Sequence, residues 1–251
     1  MSNFFGAIAG WWNSFSEEFA RVFIEDSRWT WLFDGLLVTL KITAGALIIG
    51  VFIGLIVSAV RTSFDKNGEE MKKSKPVSYA ILKFFNSICQ LYLTVIRGTP
   101  CVVQLMICYF VIFVSATDGL PVAIFAFGLN SGAYVAEIFR GGIMSIDNGQ
   151  FEAGRSLGFN YVQTMIHIVI PQVFKAVLPT LCNEFIVLLK ETSVAGYIGM
   201  VDLTKAGDKI RGRTFSAFMP LIAVALIYLV MVVLLTWLVG KLEKRLRKNE
   251  R

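Results

Sequence analysis

The sequence predicts an all-α protein that crosses a membrane about five times, and two observations carry this prediction. The chain of 251 residues is 55% hydrophobic and only 17% charged, whereas a soluble domain carries about 25% charged residues. Its apolar residues also gather into five runs, each near or above the roughly 20 residues that a helix needs to cross the hydrocarbon core. We therefore expect a polytopic bundle of transmembrane helices.

The five expected spans follow the apolar runs along the chain. They are residues 36–60, 78–115, 121–143, 165–189 and 219–239. Pro100 lies inside the second run, where a proline can break the helical phase. The resulting organisation is an external arm at 1–35, a transmembrane domain at 36–240 with a loop at 145–164, and a tail at 241–251.

Basic residues are shared unevenly between the segments that flank these spans. The loop after the first span and the tail are rich in lysine and arginine, whereas the arm carries more acidic than basic residues. The positive-inside rule then predicts a cytoplasmic C-terminus and an external N-terminus. The net charge of +6 is explained by this topology, so no nucleic acid partner is expected. One external stretch, with basic residues at 205, 209, 211 and 213, runs against the rule.

The arm has an amphipathic pattern of its own. Apolar residues recur at helical spacing: Ile8, Trp11, Trp12, Phe15, Phe19, Val22 and Phe23. This pattern is typical of a helix that lies at the membrane interface, where tryptophan is favoured. We expect it to anchor the arm, and a dedicated gating role is the alternative.

The loop between the third and fourth spans carries the most specific motif. Residues 152–158 read E-A-G-R-S-L-G, and nine residues further on 168–171 read I-V-I-P. This pattern resembles the cytoplasmic EAA loop of permease subunits in ATP-binding-cassette (ABC) importers, which reads E-A-A, three residues, G, nine residues and I-x-L-P. Gly154 and Ile170 are the departures from it. Residues 97–100, 131–143, 145–158 and 183–186 resemble the polar amino-acid branch of the same permeases.

The resemblance implies a type I ABC-importer permease fold and a subunit that does no catalysis of its own. Two ABC ATPase subunits would use ATP and Mg, and this chain would bind no cofactor. The channel would pair two permeases, either two copies of this chain or this chain and a homologue. An extracytoplasmic binding protein would deliver a polar amino acid, and lipid of the inner membrane would surround the complex. Which amino acid is carried does not follow from the sequence.

The residues of the loop suit a short helix that an ATPase can grip. Glu152 in the first turn favours the positive end of the helix dipole, and Ala153, Gly154 and Ser156 are small enough to let a partner approach. Gly158 fits the helix C-terminus, where a left-handed residue is needed. The alternative is an ordinary connection between two spans.

Polar residues inside the expected spans fall on helical stripes, and such residues normally face a bundle interior or water. The stripes are Asn86, Gln90, Arg97 and Gln104 in the second span, Asn130, Tyr134 and Glu137 in the third, and Thr180, Glu184 and Glu191 in the fourth. They predict a hydrated substrate path, in which Glu184 faces the ammonium and Arg97 the carboxylate of an amino acid. The alternative is a structural network, with Glu137 paired to Arg140 or Arg97.

Other classes of function find less support in the sequence. A secondary transporter generally has more spans and internal repeats, and we find no repeat. A membrane enzyme would need a motif such as H-E-x-x-H or G-x-S-x-G, and a phosphate-binding loop is also lacking. The four cysteines lie in apolar runs without metal-ligand spacing, so no metal site is expected. The single histidine, His167, should make a local hydrogen bond or a packing contact.

Overall fold

The computed structural model describes residues 2–248, and its regular structure within that range is helical. The α-helices are α1 Ser2–Phe19, α2 Trp29–Ser74, α3 Pro76–Gly98, α4 Cys101–Ile107, α5 Gly119–Met144, α6 Asn148–Ser156, α7 Tyr161–Thr164, α8 Ile170–Glu191, α9 Leu203–Thr214 and α10 Phe218–Lys248. Wider π-helical turns at Cys108–Ile112 and Met165–Val169 extend α4 and join α7 to α8, and a 3₁₀ turn at Thr192–Ile198 follows α8.

Five helical segments of the described chain are long and apolar enough to cross a membrane. They run from Trp29–Ser74, Pro76–Gly98, Gly119–Met144, Tyr161–Ile198 and Phe218–Arg245. The expected number of spans is confirmed. The first of these segments, α2, has 46 residues and is about 69 Å long, so it projects well beyond a hydrocarbon core of about 30 Å.

The second expected span, 78–115, is wrong as a single helix. The helix α3 ends at Gly98, and Thr99 has an extended backbone with φ −125° and ψ 149°. A residue before proline is excluded from the α region by the proline ring, so the chain turns at Thr99. A separate helix, α4, then starts directly after Pro100. The fourth span also begins earlier than expected, at Tyr161, because Asn160 and Gln163 form a capping box there.

The core is built around α2 and α5, which pack at close range. At Gly54 a Cβ atom would lie 2.5 Å from Cγ1 of Val135, so glycine is what allows the two helices to approach. The central cluster of buried side chains includes Ile42 of α2, Phe127 of α5 and Leu188 of α8. The helices α5 and α8 thus lie against α2 and set the positions of the polar side chains described below.

The basic stretch that ran against the charge rule forms α9, an amphipathic helix between the last two spans. Its inner face buries Leu203 and Ile210 against Leu32 and Val22. On the outer face Asp208 pairs with Lys205 and Arg211. The basic residues therefore belong to the exposed side of a short helix that does not cross the membrane.

The packing of α9 against Val22 also bears on the arm, which was expected to lie at the membrane interface. Trp12, Phe15 and Phe19 are exposed on α1, as an interfacial helix requires, but Val22 and Phe23 are buried against α2 and α9. The last part of the arm is therefore packed on the protein. The side chains of Ile8 and Trp11 lie outside the described residues.

The N-terminus of α9 is capped by a buried carboxylate. The side chain of Asp202 accepts hydrogen bonds from the backbone N–H groups of Thr204 at 2.9 Å and Lys205 at 3.2 Å. Burial raises the pKa of Asp202, and these backbone donors oppose the rise. On the exposed face the Arg211 and Lys205 side chains lower the pKa of Asp208.

Candidate coupling helix and polar interior

The motif at 152–158 lies on α6, a nine-residue helix with defined ends. At its start the Asp147 side chain accepts a hydrogen bond from the Gly149 N–H at 2.6 Å. At its end Gly158 has φ +77°, the left-handed conformation that glycine adopts at least cost. The N–H of Phe159 donates to the carbonyl of Gly154 at 3.0 Å, which completes a Schellman motif. The motif therefore folds as the predicted short helix.

The glycine at 154 is required by the chain itself. Gly154 is buried, and a Cβ atom there would lie 2.5 Å from Oγ1 and 2.6 Å from Cγ2 of Thr164. Real Cβ contacts are longer than this, so α6 could not lie as close to α7 with any larger residue. The small size of Gly154 thus serves the packing of α6 on α7 rather than an open surface.

Two further sets of contacts hold α6 in place. The Phe151 ring stacks on Tyr161, with the centroids 6.4 Å apart, and Lys66 of α2 places its Nζ 3.7 Å from the Phe151 centroid. The Gln172 side chain of α8 donates to Gln150 Oε1 at 3.2 Å. Because α6 contacts α2, α7 and α8, it is tied to the ends of two membrane-spanning segments.

The opposite face of α6 is free in the described part of the chain. Glu152, Ala153 and Ser156 are exposed, as is Gly158 beyond the helix end. The side chain of Leu157, which follows the helix, is 70% exposed. Sequence reasoning did not single out Leu157, although an apolar residue among polar neighbours was the available signal. The exposed face is thus a small surface of mixed charge with one apolar side chain.

The single histidine has the local role that the sequence suggests. His167 Nδ1 lies 2.9 Å from the carbonyl oxygen of Gln163, and its ring packs beside Phe159 with a centroid distance of 5.7 Å. Within residues 2–248 no three His, Cys, Asp or Glu side chains are grouped closely enough to hold a metal ion.

The polar residues of the interior form pairs between different helices. Asn130 of α5 donates to Gln104 Oε1 at 3.0 Å. The amide nitrogen of Gln104 donates back to the carbonyls of Ile96 at 2.8 Å and Thr99 at 3.0 Å. Gln104 therefore satisfies carbonyl groups that the break at Thr99 leaves open, and it holds α3, α4 and α5 together.

Glu184 is the buried carboxylate of this interior. Its side chain lies on α8 and is 9% exposed as a residue. Its Oε1 atom accepts a hydrogen bond from Ser131 Oγ on α5 at 3.3 Å. No lysine or arginine of the described residues forms an ion pair with it within 4.0 Å. A buried carboxylate held by one neutral donor is energetically unfavourable.

A second carboxylate, Glu137 on α5, sits in a network of opposite charges. Arg140 Nη2 lies 3.1 Å from Glu137 Oε2, and Arg140 Nη1 lies 3.4 Å from Asp65 on α2. Arg97 Nη1 is 4.0 Å from Glu137, and its guanidinium lies 5.7 Å from the Tyr134 ring centroid. The Arg97 side chain is 46% exposed, so most of its donors remain available.

The structure brings some of the predicted path residues together and separates others. Gln104 meets Asn130, and Arg97 meets Glu137, as neighbours on one side of α5. Asn86 is buried but accepts from Arg61 of α2 at 3.0 Å, which is a contact between α2 and α3. Gln90 and Thr180 are exposed on the bundle surface. The three stripes therefore do not form three continuous walls within this chain.

Comparisons with known proteins bear on the family and the fold of the chain. Residues 77–248 match the sequence profile of the family described as binding-protein-dependent transport system inner membrane component. The chain is 36% identical to the arginine transport system permease protein ArtQ of Bacillus subtilis, over 87% of this chain and 94% of that protein. It is 32% identical to the L-cystine transport system permease protein TcyB of Bacillus subtilis, over 89% of each.

A solved structure also matches over most of the chain. It is described as the crystal structure of an amino acid ABC transporter with histidines, with 38% sequence identity and a TM-score of 0.74. The match covers 89% of this chain and 98% of that one.

Proposed function

Because this chain belongs to the family of binding-protein-dependent transport inner membrane components, the permeases of ABC importers, we propose that it carries polar amino acids across the inner membrane. The chain would act without catalysis of its own. A dimer of ABC ATPase subunits would use ATP and Mg, and an extracytoplasmic binding protein would supply the amino acid. Two permease subunits, identical or homologous, would enclose the path, with the N-terminus outside and the C-terminus in the cytoplasm.

The observation that carries the coupling proposal is the two-sided character of α6. One side is fixed to the chain through Gly154 and Phe151, whereas Glu152, Ala153, Ser156 and Gly158 stay exposed. A helix that is rigid on its inner side and open on its outer side can transmit a push. The exposed side is where we place the ATPase.

The substrate proposal rests on Glu184 and Arg97. Glu184 has no cation paired with it among the described residues, so the ammonium group of an amino acid can supply the missing charge. Arg97 has free donors that suit a carboxylate. This arrangement favours basic or neutral side chains slightly over acidic ones. The names of the relatives, which mention arginine and L-cystine, agree with the polar amino-acid class.

The test is uptake into proteoliposomes that contain this permease with its ATPase and binding protein. A panel of labelled amino acids identifies the substrate, and wild-type uptake must require ATP. Glu184→Gln keeps an acceptor for Ser131 but removes the charge. We expect uptake to fall at least about tenfold, since hydrogen bonds to charged groups contribute about 1.5–3 kcal/mol.

The control variant is Glu69→Gln, which neutralises an exposed carboxylate on the projecting end of α2. It should transport normally. A Glu184→Gln protein that transports at the wild-type rate would remove Glu184 from the path. A variant that loses thermal stability together with uptake would show that the carboxylate has a structural partner instead. ATP-dependent uptake of none of the polar amino acids would overturn the proposed substrate class.

A further inference from the structure

The helices α2 and α3 form a hairpin whose closed end extends past the membrane. The apolar run of α2 ends at Val60, and the helix continues to Ser74, about 21 Å further on. Phospholipid headgroups occupy only about 5–8 Å beyond the hydrocarbon core. Because α3 runs back beside α2, its first turns lie at a similar depth. The hairpin tip, residues 71–81, therefore lies in the cytoplasm in the proposed orientation.

The hairpin tip is held rigidly by short connections. Lys75 alone joins the two helices, and its N–H donates to the carbonyl of Met71 at 2.8 Å. The N–H of Tyr79 donates to the carbonyl of Lys75 at 3.0 Å. The Tyr79 ring also stacks on Phe64 of α2, with the centroids 6.0 Å apart. A segment fixed in this way loses little conformational entropy when a partner binds it.

The tip lies close to the coupling helix. Lys66 of α2 places its Nζ 3.7 Å from the Phe151 centroid of α6, and α2 continues for about 12 Å beyond Lys66. A domain of about 200 residues has a radius of gyration of roughly 17 Å. An ATPase subunit that binds the exposed face of α6 is therefore wide enough to reach the tip as well.

The side chains of the tip combine positive charge with apolar surface. Lys72, Lys73 and Lys75 are exposed, and none of them forms an ion pair within 4.0 Å among the described residues. Val77 and Ile81, one turn apart on α3, are 72% and 55% exposed. The positive-inside rule and the helix dipole explain basic residues at the end of α2. Neither explains the length of the extension or the two exposed apolar side chains, which gain free energy when a partner buries them.

Anionic lipid is the alternative partner for the three lysines, and it is too far away. Lys72 comes about 18 Å of helix after Val60, which places it about 10 Å past the headgroups. Exposed charges separated by more than the Debye length, about 8 Å at physiological ionic strength, are largely screened from each other. A cytoplasmic protein is the partner within reach.

We propose that the hairpin tip is a second contact between this permease and its ATPase. The three exposed lysines of the tip face carboxylates of the ATPase, and Val77 and Ile81 face an apolar patch beside them. This contact rests on the proposed function, which supplies the ATPase. The tip and α6 then hold the same subunit at two points that α2 joins. Two points fix the orientation of the subunit, whereas α6 alone leaves rotation about the single contact.

Photocrosslinking in the assembled complex locates the contact. The permease carries p-benzoylphenylalanine in place of Val77 at the tip, Ser156 on α6, or Leu229 on the exposed surface of α10, and is reconstituted in nanodiscs with its ATPase. We expect crosslinks to the ATPase from positions 77 and 156 and none from position 229. Each probe replaces one exposed side chain, so the fold of the permease is retained.

Charge reversal tests the lysines against a matched control. Lys72→Glu/Lys73→Glu reverses two charges of the tip, and Lys244→Glu/Arg245→Glu reverses two exposed charges near the cytoplasmic end of α10. At about 0.15 M salt the Kd of the ATPase for the tip variant should rise about tenfold, because attraction becomes repulsion. The difference should nearly disappear at about 1 M salt, where the Debye length is about 3 Å. The control should bind within about twofold of the wild type.

The outcomes separate this contact from the proposed function. A crosslink from position 156 without one from position 77 overturns the second contact and leaves α6 as the coupling helix. No crosslink to the ATPase from either position overturns both. Crosslinks from position 77 to lipid or to a second permease copy, in place of the ATPase, also overturn the second contact. An equal loss of affinity in the tip variant and the control would show general charge attraction and would overturn the lysine contacts.

Discussion

Gly154→Ala offers a sharp test of how α6, the proposed coupling helix, is held against α7. Alanine is the residue that the EAA pattern has at this position, and an alanine in a helix interior is normally about 1 kcal/mol more favourable than glycine. Here the added Cβ would lie 2.5 Å from Thr164 Oγ1 and 2.6 Å from Thr164 Cγ2. Overpacking of this kind costs about 1–3 kcal/mol. The net effect should be a local destabilisation of up to about 2 kcal/mol.

A second substitution, Thr164→Ala, removes the two close atoms Oγ1 and Cγ2. Together with Gly154→Ala it forms a double-mutant cycle. The Cβ of residue 164 would then remain 3.1 Å from a Cβ at 154, which a small shift can relieve. Thr164→Ala also removes a buried hydroxyl that has no hydrogen-bond partner among the described residues, so its own cost should be small. In that background Gly154→Ala should become stabilising. The interaction free energy of the cycle should be about 1–3 kcal/mol.

Amide hydrogen exchange of residues 149–164 measures this effect directly, because it reports local unfolding free energies. Gly154→Ala alone should speed exchange in α6 by up to about thirtyfold, since 1.4 kcal/mol corresponds to a factor of ten. Exchange in the double variant should be as slow as in the wild type or slower. If alanine at 154 slows exchange regardless of the residue at 164, the packing argument is refuted.

Three further predictions follow from individual sites. Gly158→Trp should leave the permease assembled but separate ATP hydrolysis from uptake. Apart from its chain neighbours, no heavy atom of the described residues lies within 4 Å of a Cβ at this position, while the backbone at φ +77° is strained by any side chain. Normal substrate-stimulated ATPase activity and uptake would contradict the coupling role. Asp202→Ala should cost about 1 kcal/mol through loss of the α9 cap, whereas Asp202→Asn keeps it. Because burial raises the pKa of Asp202, wild-type thermal stability should fall as the pH rises from the usual carboxyl pKa through that raised value, and Asp202→Asn should lack this dependence. Cysteine labelling of intact cells should reach Ser2→Cys, while Lys72→Cys should react only after permeabilisation; the opposite pattern would reverse the orientation.

The sequence predicted those features that depend on local pattern and composition. The number of spans follows from the lengths of apolar runs, and the left-handed Gly158 follows from its place after the last helical residue of the loop. The capping box at Asn160 and Gln163 was equally readable, and it would have moved the start of the fourth span to Tyr161. These features need no knowledge of which helices are neighbours.

The pairings between helices were not readable from the same patterns. A polar stripe tells which side of a helix faces protein, but not which helix lies there. Asn86 meets Arg61 rather than a path residue, and Gln104 turns back to the break at Thr99. Gly154 faces Thr164, although its small size read equally well as an open surface. Each of these contacts joins segments whose relative position only the tertiary structure sets.

The contacts of α2 suggest how a push on α6 can reach the polar interior. Lys66 of α2 lies over the Phe151 ring of α6, and the preceding residue, Asp65, pairs with Arg140 of α5. Arg140 in turn pairs with Glu137, which Arg97 approaches to 4.0 Å. Consecutive residues of one continuous helix therefore contact the coupling helix on one side and the charged network on the other. Because an α-helix moves nearly as a rigid body over one turn, a displacement of α6 that shifts Lys66 also shifts Asp65. The ion pairs around Arg97 are thus the interior contacts most directly exposed to movement of the coupling helix.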